Sequence, residues 1–464
     1  MRLFLLPLFA LSILSAQQYD LVIANGHVMD PASGLDAVRN VGVRDGKIAA
    51  ISANALQGKK VVDAKGLVVA PGFIDLHSHG QTPENYRFKA RDGVTTALEM
   101  EVGVSPVRPW YAEREGHALV NFGATAGHIP ARMAVLHDSG TLLPRDKGTG
   151  PTDAEQRRAV LQLLERGLDD GALGVGMGIA YVPLATRNEI FEVFQLAARR
   201  KQTVYVHMRN SGPVEPGAIG SLQEVLADTV SSGASLHIVH ITSTCIRDAA
   251  ACLGMIAGAR QHGLDVTTEA YPYTAGMTDI SSAVYAPGWQ QRMGGITYSD
   301  LQWALTGERL TEESFNRYRK IGGWVAGHSI PEEVVRTALS SPMVMVASDG
   351  IMEEGKGHPR AAGTYARVLG HYVREEHTLG LMEALRRMTV MPADRLGIRT
   401  KGRLSVGADA DITVFDPAKV IDKSTFDRPA QYSEGIPYVV VNGVVVVEQG
   451  QIRDSVLPGR GVRR

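Results

Sequence analysis

The sequence predicts an α/β protein: a (β/α)8 barrel with a small β-sandwich formed by both chain ends. Three observations predict it. Eight β-forming runs fall between residues 73 and 349, with helical patterns between most of them. Histidines or an acid stand at the ends of several of those runs, where barrel strands present reactive groups. β-rich segments with tight turns flank the barrel on both sides.

The elements follow in order. Arg2, the apolar run Leu3–Leu14 and the small pair Ser15-Ala16 have the three parts of a secretory signal peptide, so residues 1–16 are expected to be removed on export. That run is shorter than the ~20 residues a membrane span needs. Residues 17–70 carry short strands punctuated by the turn signals Asn25-Gly26 and Asp45-Gly46. The barrel is expected over 71–401. Its strands start at Phe73, Gly93, Ala118, Gly174, Thr203, Ser235, Asp265 and Met343. Two of the intervening helices open on capping-box patterns, Thr152-Asp153-Ala154-Glu155 and Thr186-Arg187-Asn188-Glu189. More than 70 residues separate Tyr273 from Asp349, and that length calls for an insertion or lid at about 280–335. Residues 402–464 return to β character and are expected to pair with 17–70.

Composition excludes several classes. A net charge of −1 over 464 residues offers no basic face for nucleic acid. The two cysteines, Cys245 and Cys252, would lie ~10.5 Å apart along a continuous helix, too far for a disulfide. The expected partner is a small-molecule substrate; nothing in the sequence fixes the oligomeric state.

Chemistry concentrates at strand ends. His77 and His79 share one strand face by two-residue periodicity and can reach a single metal ion. His207, His240 and Asp349 end three other strands. Imidazole and carboxylate donors together suit Zn²⁺, one or two ions per chain, whose bound water ionises near neutral pH. Asp349 is the candidate proton acceptor and donor. Glu99 and Glu101 share a face on the second strand, and either can complete the site. Glu101 is favoured because it lies nearer the strand end.

These residues resemble the amidohydrolase superfamily and, within it, the N-acyl-D-amino-acid deacylases (D-aminoacylases). The likeness runs through Gly72-Phe73-Ile74-Asp75-Leu76-His77-Ser78-His79, His207-Met208-Arg209, Tyr271-Pro272-Tyr273, Ser348-Asp349-Gly350, His358-Pro359-Arg360 and Gly407-Ala408-Asp409-Ala410-Asp411. The resemblance implies that His77 and His79 serve one metal position, His207 and His240 another, and that Asp349 is the general base and acid. It also implies that Tyr273 and Arg360 contact the substrate carboxylate or frame its pocket. Arg209 and His128 are further candidates for the pocket.

Two departures stand out. The deacylases carry a metal-binding cysteine on the second strand, where this chain reads Glu99-Met100-Glu101-Val102-Gly103. They also tend to carry a lysine two residues after the sixth-strand histidine, where this chain has Thr242. Another branch of the superfamily bridges its metals through a carboxylated fourth-strand lysine, but no lysine lies between Lys147 and Lys201. The expected activity is therefore zinc-dependent removal of the acyl group from N-acyl-D-amino acids in an exported, periplasmic or extracellular setting. Alternatives are a cyclic amidase or dipeptidase of the same superfamily and, more remotely, a non-catalytic exported binding protein.

Overall fold

The structure is a computed structural model describing residues 18–464. The expected signal peptide lies outside the described residues.

Eight parallel strands form the central sheet: β1 Phe73–Asp75, β2 Val94–Val104, β3 Asn121–Gly127, β4 Val175–Gly178, β5 Thr203–His207, β6 Ser235–Ile238, β7 Val266–Ala270 and β8 Val344–Val346. Their spatial order is their sequence order. The strands are buried almost throughout, as β-branched and apolar runs covered by helices must be. The helices close over them with local signals. Thr186 caps Arg187–Arg199 through its hydroxyl as expected. The cap of Ala154–Asp169 lies one residue later than its pattern suggested. Asp153 and Gln156 exchange the two capping bonds, while Thr152 turns inward to Glu189.

The ring is completed between β1 and β8 by polar contacts rather than a ladder. Asp75 Oδ1 accepts the amides of His77 and Ser348, at 3.1 and 3.0 Å. Asp75 Oδ2 meets Lys89 Nζ at 2.8 Å, and Lys89 also donates to Ser348 Oγ at 2.6 Å. All three side chains are fully buried, so this paired charge fixes the two strands that deliver His77 and Asp349.

Strands from both chain ends join in one nine-stranded mixed sheet. Ile412–Phe415, from the C-terminal part, runs antiparallel to Val68–Pro71. The long connection after β7 holds a three-stranded antiparallel sheet, Gly276–Asp279, Leu301–Trp303 and Trp324–Gly327, with its own aromatic core of Tyr285, Trp289, Trp303 and Phe315. No helix among the described residues is long and apolar enough to cross a membrane.

The cysteines correct the sequence reading. They do not share one helix: Cys245 ends Ile241–Cys245, a tight turn follows at Ile246–Asp248, and Cys252 lies in Ala249–Gln261. The turn has Ile246 at φ +48°, and both thiols are buried. Both are free.

Candidate metal centre and active site

The strand ends converge on one carboxylate. Glu101 Oε2 lies 2.7 Å from His77 Nε2 and 3.3 Å from His240 Nε2, and Glu101 Oε1 lies 3.0 Å from His207 Nδ1. His79 Nε2 is 3.1 Å from His77 Nε2 and 3.2 Å from Asp349 Oδ1. Two groups of ligand atoms result. His77, His79, Glu101 and Asp349 form one; Glu101, His207 and His240 form the other. Glu101 belongs to both.

A break in β2 puts it there. Pairing with β3 is regular to Glu99–Ala124 and resumes only at Val104–Ala126, so residues 100–103 bulge out of the ladder. Gly103 turns the chain at φ +67°, and a side chain there would collide with the backbone of Gly127. The bulge re-aims the strand and parts the two glutamates. Glu101 enters the barrel mouth. Glu99 stays behind His79, 2.7 Å from its Nδ1, with the amides of Val102 and Gly103 donating to its other oxygen. Of the two glutamates the sequence left open, the favoured Glu101 joins the ligand groups, while the oxygens of Glu99 are spent on the ring behind the site and on the bulge.

The same logic holds behind His77. Its Nδ1 lies 2.6 Å from Glu269 Oε1, and Glu269 Oε2 lies 3.1 Å from His237 Nε2. Burial opposes the Glu269 charge, but His77 and His237 lower its pKa to about 2. A carboxylate facing Nδ1 keeps the proton on that nitrogen and leaves the Nε2 lone pair bare. His77 and His79 both present Nε2 inward in this way. Ring nitrogens crowded at 3.1 Å, with two carboxylates among them, are a donor set for a cation. The residues fit the metal the resemblance implies.

Asp349 follows β8 at φ +51° and His240 follows β6 at φ +31°, a left-handed backbone that non-glycine residues adopt at a cost. Arg360 Nη2 holds Asp349 Oδ2 at 2.8 Å. Burial works against the Asp349 charge, yet Arg360 and the histidines keep its pKa well below the usual carboxylate value.

A cavity of about 310 Å³ opens onto Asp349, His207 and His240. Of four sequence candidates, three stand outside the cavity lining, and the fourth, Arg209, lines it with its charge already engaged. Arg360 is fully buried behind Asp349 and outside the lining. Tyr273 turns its hydroxyl to Asp422 Oδ2 at 3.1 Å, so that Tyr271, two residues earlier, faces the cavity instead. Arg209 lines the cavity, but its guanidinium is taken up by Glu224 and the carbonyls of Pro183 and Ala185. His128 is buried against Glu189, its Nε2 2.9 Å from Oε1, and burial lowers its pKa.

That last cluster is structural. Glu189 also pairs with buried Arg132 and accepts from Thr152 Oγ1 at 2.6 Å. Glu189→Gln should destabilise the fold by roughly 3 kcal/mol, because Arg132 loses its buried counter-charge. Burial opposes the Glu189 charge, while His128 and Arg132 lower its pKa from 4.5 to about 2. Its contribution is therefore present above pH 4.5 and is lost as the pH falls towards about 2. Denaturation midpoints of the two proteins should converge across that window.

Over residues 60–128 and 131–447 the sequence matches the amidohydrolase family. The chain belongs to that family. This amidohydrolase is 32% identical to an N-acyl-D-glutamate deacylase of Alcaligenes xylosoxydans xylosoxydans, with 97% of each chain covered. It is 31% identical to a D-aminoacylase of the same organism, with 94% of this chain and 96% of the relative covered. Among solved structures it superposes on the N-acyl-D-glutamate deacylase of Bordetella bronchiseptica with a TM-score of 0.84. That pair shares 28% identity and covers 97% of this chain and all of the other. The Bordetella enzyme was solved with zinc and a phosphonate mimic of the tetrahedral intermediate. The amidohydrolase described here is accordingly a metal-dependent hydrolase of C–N bonds.

Asp75, Lys89, Glu269 and Tyr271 were missed from sequence. Asp75 carried a usable signal, standing two residues before His77 on the same strand face. Glu269 ends β7 as the histidines end β5 and β6, which was also legible.

Proposed function

We propose that the protein removes the acyl group from N-acyl-D-amino acids, with zinc as its metal, and that its N-terminal segment directs it out of the cytoplasm. The observation that carries the reading is the convergence of four histidines on Glu101, beside Asp349, in a chain aligned end to end with such deacylases. His77, His79, Glu101 and Asp349 would hold one ion, and Glu101, His207 and His240 a second. Once bound, zinc supplies a Lewis acid for the scissile carbonyl and a water acidified to a pKa of ~7.

The remaining work falls to the protein. Arg360 occupies Oδ2 of Asp349, so Oδ1 takes the proton of the attacking water. As the carbon–nitrogen bond breaks, the same oxygen returns that proton to the leaving nitrogen, which departs as a neutral amine. Glu99 and Glu269 hold the imidazoles of His79 and His77 in one tautomer and orientation. No lysine is needed, because Glu101 already lies between the two groups.

The test is hydrolysis of paired N-acetyl-D- and N-acetyl-L-amino acids by zinc-loaded protein, with a hydantoin as control. Turnover of the D series with little of the L series supports the reading. Turnover of the hydantoin alone assigns the site to cyclic amides instead. Glu269→Gln should weaken metal affinity ~10–100-fold without unfolding the barrel, read by competition with a chromogenic chelator.

A further inference from the structure

The cavity wall away from the strand ends is supplied by the insertion. Met277, Ala283, Val284, Ala286 and Met293 give it an apolar face. Trp289, stacked on Phe315 at 5.3 Å, fixes the short helix Trp289–Arg292 that ends at the cavity. Two arginines line the space, Arg209 and Arg292. Glu224 neutralises the first through two charge-assisted bonds at 2.7 and 3.0 Å. The second meets no carboxylate among the described residues.

Arg292 makes only bonds to carbonyls. Nη1 donates to Pro287 O at 2.9 Å, and Nη2 to Ala286 O at 2.8 Å and Val284 O at 3.4 Å. These bonds hold the guanidinium plane and leave Nε–H and one Nη1–H without a protein acceptor. Partial burial lowers its pKa, and no neighbouring acid offsets that. A preoriented guanidinium with spare donors is built to receive one carboxylate. The cavity has no other unpaired arginine or lysine to receive a second. An acidic side chain finds no second unpaired cation in the lining, and the apolar wall of the insertion and the Asp349 carboxylate both disfavour it.

Resting on the deacylase reading, we propose that this site selects N-acyl amino acids bearing a single carboxylate and an apolar side chain. Arg292 of the insertion binds the carboxylate, and the Met277–Val284–Met293 face takes the side chain. The specificity then departs from that named for the glutamate deacylase to which the chain is 32% identical.

The experiment compares N-acetyl-D-leucine, N-acetyl-D-glutamate and N-acetyl-D-leucinamide on wild type, Arg292→Gln and Val284→Lys, all zinc-loaded. Wild type should favour leucine over glutamate. Arg292→Gln should lose ~10–100-fold in kcat/KM on N-acetyl-D-leucine, chiefly through KM, and its acid-over-amide preference should collapse. Val284→Lys adds a second cation and should gain activity on N-acetyl-D-glutamate, an outcome misfolding cannot mimic. Glutamate preferred by wild type, or an unchanged acid-over-amide ratio in Arg292→Gln, overturns the inference while leaving the deacylase reading intact. Turnover of neither acid by wild type overturns both.

Discussion

Asp349→Asn should lower kcat by ~10²–10⁴-fold while leaving KM for an N-acyl-D-amino acid close to wild type. Asparagine keeps the size of the side chain and can still meet Arg360, so the mouth of the barrel keeps its shape. What disappears is the anionic oxygen at Oδ1, 3.2 Å from His79 Nε2 and 3.3 Å from His77 Nε2. The two histidines, Glu101 and the second group still offer ligands, so bound metal should fall less than activity does. A parallel fall in both would make Asp349 chiefly a ligand. Zinc content and steady-state kinetics on the same preparation separate the two.

Glu101→Ala should cost more than Asp349→Asn in metal and at least as much in activity. The side chain is 2% exposed, and its two oxygens face His77, His240 and His207. Its loss takes one member from both ligand groups at once. Loss of an outer hydrogen-bond partner such as Glu99 costs ~10–100-fold in metal affinity or activity, and removal of the shared ligand should exceed that. Glu101→Gln is the sharper variant, since it keeps the volume and one carbonyl oxygen but removes the negative charge.

Much of this centre was legible because it depends on rules of short range. His77 and His79 follow strand alternation, and His207, His240 and Asp349 stand where barrel strands end. The resemblance along the chain added the deacylase activity and the division of the histidines between two metal positions. The glutamates show where short-range rules stop. Alternation puts Glu99 and Glu101 on one face, but the bulge at 100–103 rotates the strand between them. Gly103 was the visible hint, and its need for a positive φ becomes apparent only against Gly127, which β3 brings alongside. The arginines were misread for a different reason. Arg209 and Arg360 sit in the right motifs, yet their roles are set by Glu224 and Asp349, partners that sequence spacing does not pair. Arg292 lies in the insertion, where no periodic pattern marked it out. Likewise Tyr271 and Tyr273 share one short motif after β7, and Asp422, far along the chain, draws the Tyr273 hydroxyl away.

Whether Glu101 is the shared ligand is decided by a zinc titration of metal-free protein, for wild type, Glu99→Ala and Glu101→Ala, read as ions bound per chain and their affinities. Glu99→Ala should bind as many ions as wild type but more weakly, whereas Glu101→Ala should lose ions outright. If Glu101→Ala titrates like wild type, or Glu99→Ala loses ions while Glu101→Ala keeps them, Glu101 is not the shared ligand and the centre is organised differently.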